Sequence, residues 1–185
     1  VPGPLLRLKG GTESATPSVN GVIARNLLRL SALLEDEGYR KLAQQTCNAF
    51  SVEIMQHPFL FVGLLDVVVG LELGVKNVTG VLSTADITSS TVPRADGMVS
   101  KTDEPISARD LLIKKVRDEA GPPAATSTAT VALVDIRKPY LDNIVANQSA
   151  WLMSRNPLYK DLRAGEPPKN FMLVCEAGSC RTVDI

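Results

Sequence analysis

Val131-Ala132-Leu133-Val134-Asp135-Ile136 is the clearest strand in the chain: continuous, rich in β-branched residues and patterned for burial on both faces. Reading towards the N-terminus, Val75 to Leu82 (VKNVTGVL) is a second short strand, interrupted by Gly80, which weakens a strand interior. Between the two, Ser107 to Glu119 has helical spacing, with Leu111, Leu112 and Val116 on its apolar side. Towards the C-terminus, a helix is predicted near Pro139 to Met153 and a third strand at Met172 to Cys175. Strand, helix, strand in this order predicts a right-handed parallel βαβ unit. Residues 83–105 are rich in Ser, Thr, Asp and Pro, and Gly121 to Ser127 reads as a linker. Mobile loops are therefore expected near 83–105 and 120–129.

Upstream of Gly74 the period is helical. Pro17-Ser18-Val19-Asn20-Gly21 has capping and turn chemistry before a segment in which Ile23, Leu27, Leu30 and Leu34 share one face. Glu35-Asp36-Glu37-Gly38 makes a short polar turn. A second helix follows from about Tyr39 to Met55, with Tyr39, Leu42, Ala43, Thr46 and Phe50 along one side. The short connection predicts an antiparallel hairpin. Pro58 opens a third helix, Phe59 to Leu73, that is apolar nearly all round. Three helices do not bury one another that fully, so partners outside these 185 residues are expected. The break at Gly74 divides the chain into 1–74, helical, and 75–185, a small α/β region.

Composition narrows the function classes without choosing one. Twenty Lys and Arg balance twenty Asp and Glu, giving a net charge of zero and no electrostatic footprint for nucleic acid or an anionic membrane. The lone His57 excludes a multi-histidine metal centre and reads as a turn residue before Pro58. The run from Phe59 to Leu73 contains Asp66 and Glu72 and falls short of the roughly 20 residues a bilayer span needs. No secretory leader is visible, and the start at Val1 is read as a removed segment or an internal fragment. An intracellular location, cytoplasmic or mitochondrial, is the expectation, with no cofactor. The glycosylation-type triplets at Asn77 and Asn147 then read as chance matches. No Gly-rich phosphate loop and no Ser-His-Asp arrangement is present.

The stretch TESATPSVNGVIARNLLRLSALLEDEGYRKLAQQT resembles the late region of the spermatogenesis-associated protein 20 family, thioredoxin-domain proteins of the six-hairpin glycosidase-like superfamily. In that family a Pro-Ser-x-Asn-Gly/Ser stretch precedes an Asn-Leu-Leu-Arg-Leu helix, a short loop and a Tyr-Arg helix. The matching positions are Pro17, Ser18, Asn20, Gly21, Asn26 to Leu30, and Tyr39-Arg40. Val174-Cys175-Glu176-Ala177-Gly178-Ser179-Cys180 is similar to the family's closing C-x4-C segment. The resemblance implies a longer parent with an N-terminal thioredoxin-like domain, an (α/α)6 toroid and a small α/β tail. This chain would hold the last toroid helices and the tail, so its partners would be the rest of the toroid, the thioredoxin-like domain and a carbohydrate ligand. Two departures stand out: Glu13-Ser14-Ala15-Thr16 replaces the usual Asp-Gly-Ala-Glu, and the 83–105 loop is longer than in the family.

By that resemblance the expected role is the C-terminal part of a carbohydrate-active or carbohydrate-binding protein, the fragment itself being inactive. The alternatives are a redox-linked thioredoxin-fold protein and a non-catalytic scaffold. Glu13, Thr16, Ser18 and Asn20 would sit at the toroid mouth, where related toroids contact sugars. Glycoside chemistry needs two placed carboxylates, and Glu13 alone is available in that segment. The competing reading is that Ser18 or Asn20 caps the helix and Glu13 is solvated. Asp66 either faces a ligand or pairs with an Arg or Lys outside the chain. Cys175 and Cys180 form either a redox-sensitive pair or two reduced thiols beside a turn, with too few ligands for structural zinc. Cys47 is expected to be a core thiol.

Overall fold

A computed structural model describes residues 10–83, 107–121, 129–137, 144–162, 169–176 and 178–185. The chain divides between Val75 and Lys76 into a helical unit and an α/β unit. Of the stretches expected to be mobile loops, 84–105 and 122–128 lie outside the described residues, as do 138–143 at the start of the expected Pro139 helix.

The helical unit contains α1 (Val19–Leu34), α2 (Glu37–Asn48), α3 (Ser51–Gln56), a 3-10 turn (Pro58–Leu60) and α4 (Val62–Leu73). Ser18 caps α1, its Oγ accepting from the Gly21 amide at 2.9 Å, and Asp36 caps α2 through the Gly38 amide at 2.8 Å. The second predicted helix is broken at Ala49–Phe50, so it is two helices rather than one. Leaving helical geometry there turns the Phe50 ring into the core beside Phe61, with centroids 6.1 Å apart. Pro58 opens a 3-10 turn, and the third helix starts at Val62 instead of Phe59.

α1 and α4 run parallel, with Gly21 facing Gly63 and Arg25 reaching Asp66 one turn on. α2 runs against α4: the Cys47 thiol meets the Leu64 carbonyl, while Arg40 donates to the Leu71 carbonyl near the other end. The buried face of α1 is Gly21, Ala24, Leu28 and Leu34, so the predicted Ile23–Leu27–Leu30–Leu34 face is corrected by about one residue. The cause is close backbone approach, which favours the small Gly21 and Ala24 at the α4 contact and leaves Ile23 48% exposed. On α2 the buried positions are Ala43 and Cys47, and Leu42 faces out.

The α/β unit has β1 (Lys76–Leu82), α5 (Ala108–Ala120), β2 (Ala129–Asp135), α6 (Ile144–Arg155), α7 (Pro157–Lys160), β3 (Phe171–Glu176) and β4 (Ser179–Asp184). The sheet order is β2-β1-β3-β4. β1 and β2 are parallel, joined through α5, as strand, helix, strand requires. β3 lies antiparallel to β1, and β4 antiparallel to β3. The sheet is therefore mixed, a βαβ unit extended by a hairpin.

One face of the sheet packs Val78, Leu82, Met172 and Val174 against Leu112, Val116 and Ala120 of α5. Gly80 is where helix and strand come closest, since a Cβ there would lie 2.9 Å from Val116 Cγ2. The glycine that weakens a strand interior is here what the packing requires. The other face holds a buried polar cluster. Asn77 Nδ2 donates to Tyr159 Oη at 3.0 Å, and Thr130 Oγ1 donates to Asn77 Oδ1 at 3.1 Å. Thr79 Oγ1 and Tyr159 Oη share a 2.7 Å hydrogen bond. A buried polar group is tolerable when its partners are fixed, and here they tie α7 to β1 and β1 to β2.

Candidate functional site

The loop before α1 holds Glu13, Thr16 and Ser18, and the first turn of α1 holds Asn20, all singled out in the sequence. Glu13 donates its amide to the Leu60 carbonyl at 2.7 Å. Its Oε1 accepts from the Gly63 amide at 3.2 Å and from the Ser18 amide at 3.4 Å. The carboxylate thus lies at the shared N-terminal end of two parallel helices, where the peptide dipoles favour negative charge. A Cβ on Gly63 would run into this carboxylate, so the glycine leaves the space Glu13 fills. Glu13 is half-buried, and it clasps α1 and α4 together.

Ser18 is the N-cap of α1, and Asn20 Nδ2 donates to the Gly10 carbonyl at 2.7 Å, holding the incoming chain. Thr16 is exposed, its carbonyl accepting from the Ser14 amide at 3.4 Å. Asp66 has its partner within the chain: Arg25 Nε stands 3.0 Å from Asp66 Oδ2. The expectation of an Arg or Lys supplied from elsewhere is corrected accordingly, since α1 already delivers a cation one turn along from Glu13. Glu13 and Ser18 are brought together, Asn20 turns to the Gly10 carbonyl, and Asp66 lies further along the α1–α4 pair.

Between α1 and α2 runs a groove of about 720 Å³, lined by Val19, Ile23, Leu27, Leu42, Thr46 and Phe50 among others. Asn20 reaches it, but neither Glu13 nor Asp66 does, and among the described residues no carboxylate lines it. Acid–base glycoside chemistry needs two carboxyl groups flanking a bond. The described lining gives the groove apolar walls with an amide and hydroxyl rim.

In the α/β unit Cys175 and Cys180 are joined by a disulfide, with Cα atoms 4.1 Å apart. They lie directly opposite across the β3–β4 hairpin, and Asn77 lies opposite Cys175 on the other side. Thr130, Asn77, Cys175 and Cys180 thus form one row across the whole sheet. The reading of two reduced thiols is replaced by this bonded pair, because the turn at positive-φ Gly178 folds the two strands into register. The remaining thiol, Cys47, is buried, and burial pushes its pKa up to about 11.

Two features of this unit were not signalled in the sequence. Glu119 accepts from Lys76 Nζ at 2.9 Å and Arg181 at 2.8 Å, linking α5 to the first and last strands. The Lys76 hydrogen bond is the main cause holding its carboxyl below the usual range. Asp135, buried at the end of β2, is held by Arg137 at 2.6 Å. Asn77 is buried within the polar cluster, which puts its side chain out of reach of a glycan. Exposed His57 stands edge-on to Phe59 at 6.3 Å. Among the described residues no cluster of three or more His, Cys, Asp or Glu is placed to hold a metal. No described helix is long and apolar enough to cross a membrane. No protein-family model, curated protein or solved structure matches the chain.

Proposed function

We propose that this chain is the C-terminal part of a spermatogenesis-associated protein 20-like protein, with α1, α2 and α4 as closing helices of an (α/α)6 toroid. The observation that carries this reading is the outer stripe of α4. Val62, Val69 and Leu73 share one helix face and are 57%, 46% and 73% exposed. Exposed apolar surface of this kind marks an interaction face, and an earlier hairpin of the toroid is the partner proposed for it. The up-down-up order of α1, α2 and α4 is what consecutive hairpins require.

On this reading the whole protein is carbohydrate-active or carbohydrate-binding and carries a thioredoxin-like domain upstream. The contribution of residues 10–73 is architectural: the Glu13 clasp and the Arg25–Asp66 pair align two inner helices whose mouth residues come from elsewhere in the toroid. Any acid–base pair then lies outside this chain, and the isolated chain is inactive. The test is made on the native protein. Immunoblotting should give a band several times larger than the 185-residue chain, and a sugar panel should raise the melting temperature of that protein, since a ligand of the folded state stabilises by mass action. A band at the size of the chain overturns the toroid reading, and a flat response across the panel overturns the carbohydrate one.

A further inference from the structure

We infer that the Cys175–Cys180 disulfide is a thiol–disulfide exchange site, reduced by an external dithiol that attacks Cys180 Sγ. The hairpin does not need the bond to find its register. β3 and β4 are paired from Phe171 opposite Asp184 to Glu176 opposite Ser179. The cross-link joins residues only five apart, so the loop it closes is short and the unfolded chain loses little freedom through it. A bond that secures so little of the fold is available for chemistry.

Its position selects one sulfur. β4 is an edge strand exposed along nearly its whole length, and Cys180 is exposed on it. Cys175 is half-buried on β3, with Asn77 and the Tyr159 hydroxyl on its inner side. A thiolate must approach in line with the sulfur–sulfur bond, behind the sulfur it attacks. Behind Cys180 is the open sheet edge; behind Cys175 is β1.

The step balances with a dithiol as the electron donor. One thiolate of the dithiol bonds to Cys180 Sγ, the Cys175–Cys180 bond breaks, and Cys175 leaves as a thiolate that takes up a proton. The second thiolate of the donor then attacks its own sulfur in the mixed disulfide, and Cys180 leaves and is protonated. The donor is oxidised to a disulfide, and the pair gains two electrons and two protons. The inference does not depend on the toroid reading, and Cys47, buried with its thiol held protonated, serves as an internal control.

The folded 185-residue chain is equilibrated at pH 7 with graded ratios of reduced to oxidised dithiothreitol, quenched in acid and alkylated in denaturant, and its added mass counted. Two alkyl groups beyond that of Cys47 should appear together, in proportion to the dithiothreitol ratio, while the far-UV spectrum stays unchanged. A brief glutathione pulse with rapid acid quench should leave the adduct on Cys180 and a free thiol on Cys175, located by peptide fragmentation. Reduction only where the spectrum shows unfolding overturns the site, and an adduct on Cys175 overturns the direction of attack. Repeating the rate with a protein dithiol identifies the donor: faster than dithiothreitol at equal thiolate means a docked protein, and slower means a small molecule, either result upholding the site.

Discussion

The Glu13 carboxylate accepts the backbone amide of Gly63, 50 residues away in the chain, at 3.2 Å. Since Oε1 also accepts from the Ser18 amide, one side-chain oxygen serves the starts of two helices. Two otherwise unpaired helix-terminal donors are satisfied by an anion placed where the dipoles favour it. A residue that looks like a ligand contact in the sequence is consumed by the fold.

Replacing Glu13 by Ala strands both amides and should cost about 1–3 kcal/mol of stability, the usual penalty for donors left unsatisfied. Glu13→Gln retains an acceptor oxygen and should cost less than Glu13→Ala. Urea denaturation of the two variants checks the order. Equal stability of Glu13→Ala and the parent chain sinks the clasp.

Tyr159 is fully buried, and its hydroxyl meets both Asn77 and Thr79. Tyr159→Phe keeps the ring and removes the oxygen, so Asn77 Nδ2 loses an acceptor in a dry site. The expected loss is about 1–3 kcal/mol. Hydrogen exchange should show the increase in opening at β1 and α7 rather than at the β3–β4 hairpin.

Glu119 supplies a pH dependence whose sign is fixed by its depressed pKa. Its stabilising contribution is present above the unfolded value, near 4.5, and is lost as pH falls through the lower folded value. The carboxyl is only partly buried, its side chain 27% exposed, so solvent screening moderates the effect. Glu119→Gln should therefore be less stable than the parent at pH 7, and the gap should close as pH falls below 4.5. A gap that does not change between pH 7 and pH 3 counts against the assignment.

Cys47 behaves in the opposite sense. With the folded thiol raised from 9.0 to about 11 by burial, its neutral form is favoured, and the stability linked to it is intact below pH 9 and erodes as pH rises towards 11. In the folded chain at pH 8, Cys47 should resist alkylation that goes to completion in denaturant. Rapid labelling of the native protein would place it at the surface.

Much of the architecture is readable in the residues because period and burial coincide there. The β1–α5–β2 unit is marked by two apolar runs and a helix of clear spacing, and Ser18 announces the start of α1. What the sequence hides follows from other physics. β4 is polar and lies at an edge, so neither alternation nor an apolar run marks Ser179–Asp184; the turn at Gly178 is its one signal. The buried face of α1 is misread because periodicity counts large apolar side chains, whereas Gly21 and Ala24 make the closest contact. Gly63 for Glu13, Arg25 for Asp66, and Asn77 and Thr79 for Tyr159 are distant in sequence, and no local pattern encodes a pairing across such separations.

The central place of β1 also determines how the sheet is assembled in time. The β3–β4 hairpin pairs Glu176 with Ser179, three residues apart, whereas Asn77 must find Thr130 across 53 residues and Tyr159 across 82. Long loops are closed slowly, because chain entropy is lost before the distant contacts form. Refolding of the α/β unit should therefore show the hairpin gaining protection first and β1 last, with Gly80 and Asn77 desolvated in the same late step. β1, paired on both sides in the finished sheet, is then the strand the ribosome releases long before any strand exists to pair with it.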